Sequence, residues 1–150
     1  MRFYRRHGAT IVESEALIKF AGYLSAGAQG SKEAKAGAFF PFVFVREERY
    51  ATPIFINHER IHFQQQLETL FIGSWILQII EDVYSGLYLK LSTKERYLYR
   101  ALEQEAYRNQ TNLEFLKQRR RFNLFKYLRN KKRLTFIPNK EPEVLIGEKF

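Results

Sequence analysis

Residues 57–62 read Asn-His-Glu-Arg-Ile-His, so two of the chain's three histidines stand four positions apart around a glutamate. On an α-helix, positions i and i+4 share a face about one turn apart. Both imidazoles can then reach one point, with Glu59 displaced about 100° round the helix. Arg60 points away from that face. The preceding Thr52-Pro53-Ile54-Phe55-Ile56 reads as a short apolar strand, and Asn57 as the N-cap of a helix beginning at His58.

Two histidines and a glutamate in this spacing form a divalent-metal pattern, with zinc the ion suited to the ligand type. A catalytic zinc site keeps three protein ligands and one open position, so a third ligand is required. The chain has no cysteine, and the remaining histidine, His7, lies in a basic segment, which leaves a carboxylate further along. Ser92-Thr93-Lys94-Glu95 is a capping box. From there to Arg121 no Gly or Pro occurs, and Leu98, Leu102, Ala106, Asn109, Leu113 and Leu116 recur at helical spacing. The pattern predicts one long helix over 92–121, which contains Leu102-Glu103-Gln104-Glu105-Ala106-Tyr107. On a helical wheel Glu105 falls near the centre of the apolar stripe and Glu103 toward its edge, about 200° apart, so only one can face a metal. A carboxylate in an apolar stripe also needs a partner.

The two segments together resemble a gluzincin metallopeptidase, in which HExxH on one helix is completed by the glutamate of an ExxA motif on a later one. The prenyl-protein (CAAX) and HtpX-type membrane-linked peptidases are examples. The chain is also similar to small bacterial proteins carrying HExIHxxQQ followed by ExEAY. The resemblance implies a zinc-dependent hydrolase of peptide bonds built on a minimal zincin-like core. Its ligands to one Zn²⁺ are His58, His62 and Glu103, with Glu105 the alternative third ligand on the wheel. Glu59 becomes the general base that takes a proton from the attacking water and returns it to the leaving amine. Ala106 is the small residue that lets two helices approach, and Tyr107 stands where the family carries an acidic or amide residue. Tyr107, Tyr99 and Arg100 lie within a turn of Glu103 and are candidate donors to an oxyanion or substrate. Gln65 and Gln66 extend the histidine face and are candidates to orient an imidazole or touch substrate, whereas Glu68 is expected to be solvated.

A length of 150 residues predicts a single domain, 1–150, with a basic C-terminal helix and tail over 117–150. The basic N-terminus lacks the apolar stretch of a secretory signal, so a cytoplasmic protein is expected. Thr69–Ile80 and Ala36–Val45 are uncharged and read as a buried helix and a buried strand, both short of the ~20 residues of a membrane span. The 14 Phe and 9 Tyr keep shallow insertion into a bilayer open. Net charge is +9, and Lys117–Arg133 holds nine Lys or Arg and no acid, interleaved with aromatic and aliphatic residues. Such a segment is either a solvated helix end or a docking segment for an anionic membrane surface. No nucleic-acid-binding signature accompanies it. A second functional class therefore stands beside the peptidase: a non-catalytic protein, tied by a metal, that binds an acidic partner through residues 117–133.

The fold class expected is mainly α with a small N-terminal β element (α+β). Residues 10–23 are ambiguous between strand and helix, and Gly27–Gly37 reads as a loop. Phe39–Arg46 and Thr52–Ile56 form a hairpin in this reading, and an edge strand there could hold a peptide by β-augmentation. The His58 helix is expected to continue past Gly73-Ser74 toward Leu91 and to run antiparallel to the 92–121 helix. A short basic helix follows around 122–130, and Pro138 and Pro142 predict an irregular C-terminus.

Overall fold

The computed structural model describes residues 1–21, 35–136 and 144–150. The architecture is mixed α+β, with a small N-terminal sheet followed mainly by helices and, near the C-terminus, a two-stranded sheet. The chain divides into two compact units, Met1–Phe63 and Gln64–Phe150.

In the first unit, β1 (Arg2–Arg6) and β2 (Ala9–Glu13) form an antiparallel hairpin. His7 and Gly8 make its two-residue turn, both with positive φ (49° and 75°), the backbone that a tight hairpin needs. Residues 15–21 form helix α1, so the described part of the ambiguous 10–23 stretch is strand followed by helix, and 22 and 23 lie outside the described residues. The hairpin that the sequence placed between Phe39–Arg46 and Thr52–Ile56 is instead β3 (Ala36–Phe39) with β4 (Phe42–Val45). β4 pairs in parallel with β2, giving the order β1-β2-β4-β3. Ile11, Val43 and Val45 point inward and pack with Ala9, Ala51, Ile56 and Phe63. Most of the expected Gly27–Gly37 loop lies outside the described residues; its last two positions open β3.

Pro53–Ile56 is helical rather than extended, with Thr52 just before the helix. α2 runs Pro53–Glu68. Proline is well suited to the first helical position because the missing N–H has no intrahelical partner there. Thr52 accepts a hydrogen bond from the Phe55 amide (3.3 Å), so it takes the cap role that the sequence gave to Asn57, which sits buried inside the helix.

α2 does not continue through Gly73. It stops at Glu68 with a Schellman-type ending, in which the Leu70 amide bonds Leu67 O (3.4 Å) and the Phe71 amide bonds Gln66 O (2.7 Å). Leu70 occupies the left-handed position (φ 52°) that glycine usually fills. The glycine falls three residues too late to mark the break. α3 then spans Ile72–Leu87.

The expected 92–121 helix is divided into α4 (Thr93–Tyr99), α5 (Ala101–Asn109) and α6 (Phe115–Gln118). The Ser92/Glu95 capping box forms as the sequence indicates. The break falls at Arg100, whose backbone is extended (ψ 135°) while its guanidinium is drawn to Asp82. The Glu81 carboxylate then accepts from the Ala101 amide (2.9 and 3.1 Å), placing negative charge at the start of α5. Ala101 and Leu102 pack with Leu124 and Tyr127 of α7 (Leu124–Arg129). Within the C-terminal stretch expected to be irregular, β5 (Lys132–Phe136) and β6 (Val144–Lys149) pair antiparallel. Gln104 ties β5 to α5, donating to Lys132 O (2.6 Å) and accepting from the Lys132 amide (3.1 Å). Pro138 and Pro142 lie outside the described residues.

Candidate metal centre

His58 and His62 occupy successive turns of α2, with their Nε2 atoms 3.1 Å apart. His58 and Glu59 are buried, and His62 is partly so. Glu103, in the first turn of α5, is buried as well. One ligand atom from each of His58, His62 and Glu103 lies within 4.8 Å of the others. Two ligands of a tetrahedral zinc, each about 2.0–2.1 Å from the ion, stand roughly 3.4 Å apart, and two histidines with one glutamate form a known open zinc donor set. The residues present therefore fit a divalent ion. The donor chemistry leaves its identity open between zinc and neighbouring metals.

Glu105 is engaged elsewhere. It is fully buried, and Arg119 donates to its two oxygens at 2.8 and 3.1 Å. Asn123 donates at 2.7 Å and Gln65 at 2.9 Å, so both oxygens are occupied. Arg119 forks the other way onto Glu68 (2.6 and 2.9 Å), which is buried and paired rather than solvated. Burial alone would push the Glu68 carboxyl up. Hydrogen bonds from Arg119 and the Phe122 backbone, with the Arg119 charge, outweigh it and hold the group below the usual range. Gln65 is fully buried; its amide also donates to Leu102 O (3.1 Å), bonding the last turn of α2 to α5. Gln66 is buried on the same helix.

The three candidate oxyanion donors have other engagements. Arg100 donates to Asp82 (2.5 and 2.8 Å) and Gln78 (3.2 Å); burial opposes its charge, but the Asp82 hydrogen bonds and charge raise its pKa. The Tyr99 ring meets Phe150 edge-on (5.0 Å) and lies under the Lys131 ammonium (4.4 Å). Burial, and then the neighbouring Tyr84 and Glu81, raise its phenol. Tyr107 packs edge-on against Tyr97 at 6.4 Å.

Sequence reasoning passed over Arg119, Asn123, Glu81 and Lys131. Glu81 and Lys131 are a buried pair, and the Lys131 ammonium also donates to Tyr99 O (2.6 Å). Burial lowers the Lys131 pKa against the opposing pull of Glu81. The signal that could have found Arg119 was Glu105 itself, since an acid at the centre of an apolar stripe requires a buried cation. No family model, curated protein or solved structure matches this chain.

Proposed function

We propose that this chain is a metal-dependent peptidase whose ion is held by His58, His62 and Glu103. What carries the reading is that the two histidines of the HExxH pattern and the glutamate of the ExxA pattern, 41 positions beyond His62, converge among the buried groups of α2 and α5. A divalent ion bound there supplies Lewis acidity, polarising a carbonyl and easing deprotonation of water. Glu59, one position after His58, accepts the proton of the attacking water and delivers it to the leaving nitrogen. Its burial keeps that proton from bulk solvent.

Elemental analysis of the purified chain tests the site. About one zinc per chain, lost in His62→Ala and Glu103→Ala but retained in Glu59→Gln, is expected on the three-ligand reading. Cleavage of a mixed peptide library should then vanish in Glu59→Gln with the metal still bound. Metal retained without cleavage in the wild-type chain would favour a non-catalytic, metal-tied protein. No stoichiometric metal after zinc add-back would end the peptidase reading.

A further inference from the structure

α3 is turned inside out. Its buried residues are Ser74, Glu81 and Ser85, and Gln78 and Asp82 lie on the same side, bonded to Arg100. The outward side carries Ile72, Trp75, Ile76, Ile79, Val83 and Leu87, each between 52% and 72% exposed. Ion pairs and hydrogen bonds hold the helix down: Arg100 to Asp82, Lys131 to Glu81, and the Ala101 amide to Glu81. Both acids of α3 are consumed on its inner side, so the outer face carries no negative charge. Contiguous apolar surface of this extent marks a docking site.

Cations stand at both ends of this face. Beyond the C-terminus of α3 lies the exposed Lys90, and Arg96 packs against Gly86. Before its N-terminus, Leu67 shares a depression with Arg121, and the exposed Leu70 follows three residues on. Arg121 also lines an adjoining depression of about 490 Å³ with Arg120, Lys126 and Phe122. Those three cations are exposed, in contrast to Arg119 and Lys131 of the same basic stretch, which are buried in ion pairs.

We propose that the outer face of α3, with the cations at its ends, docks the protein onto an anionic lipid bilayer, α3 lying in the interface. At 16 residues α3 is short of a span, and no helix among the described residues is long and apolar enough to cross a membrane. An apolar face flanked by Lys and Arg, with Trp and Tyr at the rim, is the composition that partitions to anionic lipid surfaces. A second copy of the chain would match the apolar face but set cations against cations. The charge therefore favours the lipid surface. The proposal is independent of whether a metal binds.

Trp75 is the chain's single tryptophan and sits on the proposed face, so it reports directly. The full chain is mixed with vesicles of phosphatidylcholine alone or with 30% phosphatidylglycerol, and with bromine-labelled lipids, at low and high salt. Partition at least tenfold stronger to the anionic vesicles is expected, with Trp75 emission shifted to the blue and quenched by bromine. Replacing Arg120, Arg121 and Lys126 by Ser should weaken binding on the order of a hundredfold at low salt. Ile76→Asp with Ile79→Asp should abolish the bromine quenching while the far-ultraviolet dichroism is unchanged. Three results would overturn the proposal: no vesicle binding by the wild-type chain, binding without quenching of Trp75, or burial of Trp75 accompanied by a doubled mass and no lipid dependence. The last would assign the face to a second copy.

Discussion

Helices α2 and α3 have the same length, sixteen residues, and expose opposite kinds of surface. α2 buries Ile56, Ile61 and Phe63 together with His58, Glu59, Gln65 and Gln66, and leaves Gln64 and Leu67 exposed. α3 buries serines and a glutamate and leaves its isoleucines outside. The ordinary rule that an amphipathic helix turns its apolar stripe inward holds when apolar burial is the main attachment. It reverses in α3 because Arg100 and Lys131 supply buried counter-charges that its two acids can reach. Buried ion pairs gain little over apolar packing, but one left without its partner costs several kcal/mol, so such a face is held firmly once it is formed.

The contrast can be broken most severely at the anchor of α2. Arg119→Met strands both Glu68 and Glu105 in the interior, and chemical denaturation should show a loss of about 3–5 kcal/mol. A loss under about 1 kcal/mol would mean that the network is not what holds the last turn of α2. Next is Ile61→Ala, which empties a fully buried site and should cost about 2–5 kcal/mol. Glu68→Gln weakens a charged fork and should cost about 1.5–3 kcal/mol at pH 7. That difference depends on pH. Because the folded carboxyl titrates below its unfolded value of about 4.3, its contribution is complete above that value and fades as pH falls through the folded pKa. Wild type and Glu68→Gln should therefore converge in stability as acid titration carries the folded carboxyl to its neutral form, and a gap that persisted once it is protonated would remove ionisation as its source. The smallest effect sharpens the contrast: Ile79→Ala, the same substitution as at Ile61, should change stability by no more than about 0.5 kcal/mol. A cost equal to that of Ile61→Ala would mean that the α3 face is covered in solution.

The motif residues were legible because they obey a local rule. A four-residue spacing on a helix fixes a shared face whatever surrounds it, and α2 supplies that helix. The capping box at Ser92 was legible for the same reason. The choice between Glu103 and Glu105 was framed correctly as two opposite directions on one helix. It could not be closed without Arg119, which arrives from 14 positions further along and which the sequence presents only as one cation in a basic run. The break at Arg100 was invisible because it is imposed by Asp82 and Glu81 of another helix, with no Gly or Pro to announce it. α3 misled for a related reason. An apolar run looks buried until the partners of its polar side are known, and those partners lie 18 to 50 positions away. The pairing of β5 with β6 was hidden by the two prolines, which fall in sequence between the strands rather than within them.

The extended backbone at Arg100 also divides the region cooperatively. α4 and α5 share no continuous ladder of amide bonds across that residue, so fraying at the exposed start of α4 stops before Ala101. The first six residues of α5 are all buried, and its leading amide is held by a side chain rather than by the preceding turn. Amide hydrogen exchange should accordingly separate the two segments. Residues of α4 open by local fluctuation, whereas those of α5, Glu103 among them, exchange only when a larger part of the unit opens with them.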